Sequence, residues 1–389
     1  MNRLTFKSAR LFVTAVLMLC VLCGCSVGDL SFIYKDTGNT SAAEKYSALS
    51  DGEKTNYIEK QITNALSSGK NTVEFDFDAT DKLKTAYNRV ILSHPEFFWL
   101  SGSSLYKKQE SKNGSVKVTF TAEPYLTDTE KKQYESKLDD VCDPLLKEIN
   151  SLKSDYEKAV FIHDYIVDNT TYDKENADAV INAGKGENPD KKLLVSASLY
   201  GCLVDKKAIC TGYAAAFMYL ARKSGLEAVR INGESRESGV GHQWNCVKIE
   251  NEWYYADVTW DDSDNEDSGA FGRSYEFFLI TSDELALTHI TDDDMSPPEC
   301  SAVKFNYYVK NGLFLQKYTR EAFSRMFDFK LHNNVLSVKF GSKAECDKAF
   351  ADLFEKEKYI WQIPSVKANK PDSIDTFVSS NGMILSVKI

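Results

Sequence analysis

Residues Tyr200 to Asp262 read YGCLVDKKAICTGYAAAFMYLARKSGLEAVRINGESRESGVGHQWNCVKIENEWYYADVTWDD, and the pattern of this stretch decides the fold. After Cys210, the apolar residues Ala214, Phe217, Met218 and Ala221 recur at three- and four-residue steps up to Gly225, the mark of a half-buried helix that Cys210 opens. A helix N-terminus sets unpaired backbone N–H groups and a partial positive charge against the sulfur, which favours thiolate over thiol. Cys210 is therefore a candidate nucleophile.

Downstream, His242 to Ile249 and Trp253 to Trp260 are rich in Val, Ile, Trp and Tyr and read as the two arms of a β-hairpin. If the turn holds two residues, Glu250 and Asn251, antiparallel pairing sets Asp257 opposite Trp244 and diagonal to His242, on one face. An odd number of turn residues would send imidazole and carboxylate to opposite faces. On one face, His242 can take the thiol proton while Asp257 fixes its tautomer and stabilises the imidazolium.

Cys210-Thr-Gly-Tyr-Ala with its helix, His242-Gln-Trp-Asn, and Trp253-Tyr-Tyr-Ala-Asp257-Val-Thr-Trp together resemble the bacterial version of the transglutaminase-like core. The order Cys, His, Asp matches too; the departure is Ala208-Ile209, where Gly-Val is more usual before the Cys. The resemblance implies an α+β fold with a papain-like triad, in which a helix bearing the Cys packs on an antiparallel sheet bearing the His and the Asp. It also implies acyl-transfer chemistry, in a family that includes transglutaminases, peptidases, amidases of glycoproteins and members without activity. A lone Cys on an apolar helix is more often a small buried hydrophobe, and a His beside aromatics a packed core residue. Three such residues in family order, each in its own matching motif, outweigh those readings.

Working outward, Arg3, Lys7 and Arg10 precede an apolar run from Leu11 to Leu22, a charged region and a hydrophobic region too short for a membrane span. Leu22-Cys23-Gly24-Cys25 resembles the lipobox of bacterial lipoproteins, which implies cleavage of residues 1–24 and a lipid-bearing Cys25 on the extracytoplasmic face of the cell membrane. Each buried CH₂ of an acyl chain contributes about 0.8 kcal/mol, so two chains anchor stably. Loss of that leader removes three positive and no negative charges, moving the net charge from −10 to −13, which argues against nucleic acid as a partner. Of nine cysteines, Cys142, Cys202, Cys210, Cys246, Cys300 and Cys346 then remain, without metal-ligand spacing, and are expected to be mostly free and buried.

Residues 25–43 read as a disordered tether and 44–151 as an N-terminal α+β domain, with helices near 52–67 and 80–93, a strand at 72–77, a hairpin at Asn113-Gly114 and a capping box at Thr127/Glu130. The core takes 152–300. The rest, 301–389, reads as a small α/β domain with hairpins at Asn311-Gly312 and Asn381-Gly382. The crowded aromatics of His94–Leu100 read as packing against the next domain rather than as a ligand platform. His163 reads as structural, 174–193 as a loop near the cleft, and the acidic run from Asp261 as a solvated loop that lacks the Gly of an EF-hand. Tyr200 is the candidate second oxyanion donor beside the Cys210 N–H, and Trp244 a candidate cleft wall. Neither metal nor cofactor is expected. The function that follows is a membrane-anchored cysteine enzyme acting on amide bonds of protein or cell-wall peptides; the alternative is an idle transglutaminase-like domain serving as a binding or scaffolding lipoprotein.

Overall fold

The structure is a computed structural model that describes residues 41–182, 190–262, 271 and 273–389. The leader, Cys25 and the tether as far as residue 40 lie outside the described residues. Those described fall into two compact units, up to Lys54 and from Thr55 on. In the first, Ser41 and Glu44 form a capping box on α1 (Ala42–Ser47), so the stretch expected to be tether as far as residue 43 already ends in a helix. Next comes α2 (Asp51–Ser67), which buries Ile58, Ile62 and Leu66 at four-residue steps.

A first antiparallel sheet, of order β1-β3-β2, is built from β1 (Thr72–Phe75), β2 (Leu100–Glu110) and β3 (Val116–Pro124), with α3 (Thr80–Ser93) between β1 and β2. Tyr87 of α3 meets Phe120 of β3 edge-on, at 5.3 Å between ring centroids. The β2–β3 hairpin turns around Asn113-Gly114, where Gly114 supplies the left-handed φ of 83°. Thr127 and Glu130 then box the start of α4 (Asp128–Ile149).

The core begins with α5 (Asp155–Asn169), opened by a Ser154/Glu157 box. After β4 (Thr171–Tyr172), the stretch read as a loop contains two helices, α6 (Lys174–Asn182) and α7 (Lys191–Ser196). The Gly and Asn content that suggested a loop is concentrated in 183–189, outside the described residues; Asp190 caps α7 by accepting from the Leu193 N–H at 2.8 Å. The chain continues through α8 (Leu199–Leu203) and β5 (Lys207–Ala208), which pairs with β4 in parallel and delivers Cys210 to α9 (Cys210–Lys223). Strands β6 (Ala228–Ser235), β7 (Gly241–Ile249), β8 (Glu252–Ala256), β9 (Phe278–Ile280) and β10 (His289–Thr291) form an antiparallel sheet of order β10-β6-β7-β8-β9. Between them lie α10 (Val258–Asp261) and α11 (Ser282–Leu285).

Helix α9 is buried on nearly every side rather than half-buried, since Tyr213, Ala214, Ala215, Ala216 and Phe217 in succession are almost without exposure. The sheet covers one face, where Asn245 Nδ2 donates to the Ala214 carbonyl at 3.0 Å. On another, Gly212 admits the backbone leading into α8: a Cβ there would lie 2.7 Å from the Ser196 oxygen. Two arginines fix the N-terminal layer to this core. Arg230 of β6 donates to the carbonyls of Leu92 (2.8 Å) and Ile91, and Arg222 of α9 to that of Ser93 (2.5 Å), so both guanidinium groups satisfy orphan carbonyls at the C-terminus of α3.

Beyond the core, α12 (Tyr307–Lys310), β11 (Phe314–Leu315), α13 (Arg320–Lys330), β12 (Val335–Phe340), α14 (Lys343–Phe350), α15 (Pro364–Asn369), β13 (Asp375–Val378) and β14 (Ile384–Lys388) surround a cluster that includes Phe323, Phe327, Val338 and Leu385. Their sheet has the order β11-β12-β14-β13. Asn311-Gly312 is not a hairpin: Asn311 caps the C-terminus of α12, and β11 pairs with β12 in parallel, so β11 turns out of a helix. The second expected hairpin joins β13 and β14, and the Glu276 carboxylate clasps its turn by accepting from the N–H of Asn381 at 2.7 Å and the hydroxyl of Ser380 at 2.9 Å. Cys142, Cys202, Cys210, Cys246, Cys300 and Cys346 are buried and unlinked, with the sulfurs of Cys246 and Cys300 3.9 Å apart. Among the described residues no helix is long and apolar enough to cross a membrane.

Candidate active site

Cys210 is the first residue of α9, with Ile209 as an extended N-cap that has no side-chain cap of its own. Its backbone N–H, as a first-turn donor, has no carbonyl to meet within the helix. The residue is 8% exposed: recessed but reachable. The hairpin beside it turns on two residues, Glu250 and Asn251, both with positive φ (48° and 73°), as a type I′ turn requires. Pairing of Asn245 with Ala256 carries Asp257 on to face Trp244, so Asp257 and His242 share a face. His242 Nε2 lies 2.6 Å from Asp257 Oδ2, which turns the other ring nitrogen toward the Cys210 thiol, its hydrogen-bonding neighbour.

The Asp257 carboxylate is fully engaged. Its Oδ1 caps α10, accepting from the N–H groups of Thr259 (3.0 Å) and Trp260 (3.2 Å). Its Oδ2 meets His242 and also His289 Nε2, at 3.1 Å. Burial alone would raise the Asp257 pKa, but His242 first and then His289 outweigh it and hold the carboxyl well below its usual range. Burial would likewise lower the His242 pKa; the charge of Asp257, helped by Cys210, lifts it to about 10. A group raised in the folded state stabilises fully below its unfolded pKa, near 6.5, and that contribution is lost as pH rises through the folded value. Thermal melts across this window should therefore show wild-type stability declining from about pH 6.5 to about 10 more steeply than that of His242→Gln. Parallel slopes would mean that His242 carries no raised pKa.

His289 escaped the sequence reading. It sits on the three-residue strand β10, wholly buried, 4.3 Å from the Trp260 ring centroid and 4.9 Å from that of Trp244, with Nδ1 2.8 Å from the Thr288 hydroxyl. The available signal was scarcity: the chain has only five histidines, so each merited a search for a carboxylate partner. Among the described residues His242, Asp257 and His289 are the one group whose donor atoms, all within 4.8 Å, could share a metal ion. The 2.6 and 3.1 Å separations are hydrogen-bond distances, and they account for the arrangement without a metal.

Tyr172, at the end of β4, was also missed as a site residue. Its hydroxyl resists ionisation through burial and through the neighbouring charges of Cys210 and Asp257. Tyr200 does not take the role expected of it: its ring packs between those of Tyr134 (4.2 Å) and Phe98 (5.9 Å), because α8 turns its apolar face toward the N-terminal layer. Trp244 is 1% exposed and lies beneath His242 rather than along a cleft, while the half-buried Trp260 stands 5.4 Å from the His242 ring.

His163 belongs to a second buried network, with Nδ1 2.9 Å from Asp164 Oδ1 and Nε2 3.3 Å from Asp261 Oδ2. Burial would lower its pKa, yet those carboxylates raise it. Asp261 is therefore not part of a solvated loop. It is fully buried and accepts from the Ser274 hydroxyl (2.9 Å) and the Phe277 N–H (3.0 Å); the remainder of the acidic run, 263–270, lies outside the described residues.

Residues 143–258 match the family model of the transglutaminase-like superfamily. Among solved structures, a TGase is 21% identical, with 48% of this chain and 50% of that one covered and a TM-score of 0.28. A protein from Cytophaga hutchinsonii described as a candidate cysteine protease is 14% identical over 41% of this chain and 63% of its own, with a TM-score of 0.23. A candidate protease from Parabacteroides distasonis is 9% identical over 40% and 36%, with a TM-score of 0.21. The chain thus spans half the length of the first of these and under two thirds of the others. No curated protein matches it. Taken with the helix, sheet and side chains above, the match over 143–258 identifies the centre of this chain as a core of the transglutaminase-like superfamily.

Proposed function

We propose that this chain is a cysteine-dependent acyl-transfer enzyme acting on amide bonds of protein or cell-wall peptides. The observation that carries the proposal is the ordered contact from Asp257 Oδ2 through the His242 ring to a thiol at the first turn of α9. In this mechanism Cys210 Sγ attacks the carbonyl carbon while its proton passes to His242. Collapse of the tetrahedral adduct expels the amine or ammonia, which takes that proton, and leaves a thioester. Water or a second amine then attacks the thioester, gives a proton to His242 and frees the thiol. The Cys210 N–H and the Tyr172 hydroxyl are the donors proposed for the oxyanion.

The test is mass spectrometry of envelope peptides incubated with the full chain, with and without a small primary amine. Loss of ammonia with incorporation of the amine means transfer, and gain of water means hydrolysis. Peptides left unchanged, with a Cys210 that iodoacetamide does not alkylate, would leave an idle scaffold. We further propose that Cys25 carries lipid at the extracytoplasmic membrane face, on the strength of the charged and apolar leader that precedes it. Wild-type protein should partition with membranes and the Cys25→Ser protein should not; equal partition of the two would overturn the anchor.

A further inference from the structure

A cleft of about 340 Å³ opens beside α9, between the N-terminal layer and the sheet. Its lining includes Thr211, the residue after Cys210, and Gln243, the residue after His242, together with Phe97, Phe98, Leu100 and Ala215. Cys210 and His242 do not themselves line it. Neighbouring Cα atoms are about 3.8 Å apart, so Thr211 and Gln243 stand one residue from the nucleophile and one from its base. That is also the step from a peptide carbonyl held at Cys210 to the next residue of the same peptide.

Two polar atoms at this wall lack partners. Thr211 Oγ1 and Gln243 Oε1 are both shut off from solvent, and neither has a hydrogen bond within the protein. The Gln243 amide nitrogen donates to Asn232 Oδ1 at 2.7 Å, which leaves its carbonyl oxygen for another donor. Buried acceptors without partners cost folding free energy and are retained where something else supplies the hydrogen bond. The nearby Arg230 offers no compensation, since its guanidinium is already bonded to the carbonyls of α3.

We propose that this cleft is a substrate subsite that takes a large apolar side chain of a peptide, with the peptide's main-chain N–H donated to Gln243 Oε1 and the Thr211 hydroxyl bonded to the same backbone. The proposal rests on the acyl-transfer reading of Cys210 and adds the class of residue that reading leaves open. The volume suits one aromatic or branched side chain, and an apolar lining with a few placed polar groups is the usual form of such sites. A sugar would stack on a displayed ring face. Phe97 and Phe98 are only 5% and 7% exposed and display none, so a peptide fits better than a glycan.

The test uses the full chain carrying Cys210→Ser, in which binding is read apart from reactivity. By titration calorimetry, acetyl-Ala-Phe-Ala-amide should bind at least about tenfold more tightly than acetyl-Ala-Gly-Ala-amide. Adding Gln243→Leu, or the isosteric Thr211→Val if the first variant folds poorly, should remove most of that preference. Equal binding of the two peptides, a preference unmoved by both variants, or tighter binding of a soluble wall glycan would overturn the subsite. Iodoacetamide labelling of wild-type Cys210 is read separately. An inert thiol beside a Phe-selective cleft would sink the enzymatic reading and keep the subsite; a reactive thiol without selectivity would do the reverse.

Discussion

Cys210→Ser should lose turnover of any amide substrate by about 10⁴-fold or more while melting close to the wild-type temperature. The change replaces one small, nearly buried atom, so packing around α9 is kept. What goes is the nucleophile: a hydroxyl gives up its proton far less readily than a thiol, and a protonated imidazole beside it cannot make up the difference. The check is the rate of mass change on the same peptides for both proteins, with melting curves as the control for folding. Activity within about tenfold of wild type would exclude Cys210 as the attacking group.

Asp257→Asn should cut turnover by up to about 10⁴-fold with little change in substrate affinity. An amide can still cap α10 through its oxygen, but its NH₂ then faces the nitrogens of both His242 and His289. With a donor opposite Nε2, His242 must accept there and carry its proton on the nitrogen that faces Cys210, where it can no longer take one. Removal of the charge also takes away what holds the imidazolium, so a stability loss on the order of 1 to 3 kcal/mol should accompany the kinetic one. Nitrogen NMR of the ring would show the exchanged tautomer. An unchanged tautomer with turnover near wild type would mean that the carboxylate only caps the helix.

The elements that hold Cys210, His242 and Asp257 are legible for local reasons. The hairpin register depends on a count of two turn residues, and aromatic and β-branched arms fix which face is which. The nature of α9 could have been read further, since CTGYAAAFMYLA is apolar nearly all the way round, the pattern of a helix enclosed on every side rather than of one lying on a surface. Other features depend on distant pairing. His289 reaches Asp257 because β10 adds to the free edge of β6, and nothing local in His289–Thr291 announces that. Tyr200 stands ten residues before the nucleophile, yet the turn through β5 sends its ring into the N-terminal layer, whereas Tyr172, farther away in sequence, returns to Cys210 because β4 pairs with β5. Asp261 reads as one more acid in an acidic run, and only the fold places His163 against it.

The arginine caps on α3 set what can be lifted out of this chain. The segment that matches the superfamily, 143–258, contains Arg222 and Arg230 but not the carbonyls of Ile91, Leu92 and Ser93 that receive them, and it ends before His289. Excised alone, it would carry a buried guanidinium with nothing to bond and an Asp257 short of one imidazole, and each such loss costs kilocalories. The matched segment and the heritable module are therefore different lengths. A recombination that transplants this chemistry into another protein has to carry the preceding helix and the following strand as well, so the N-terminal layer travels with the core as a permanent component and not as an exchangeable accessory.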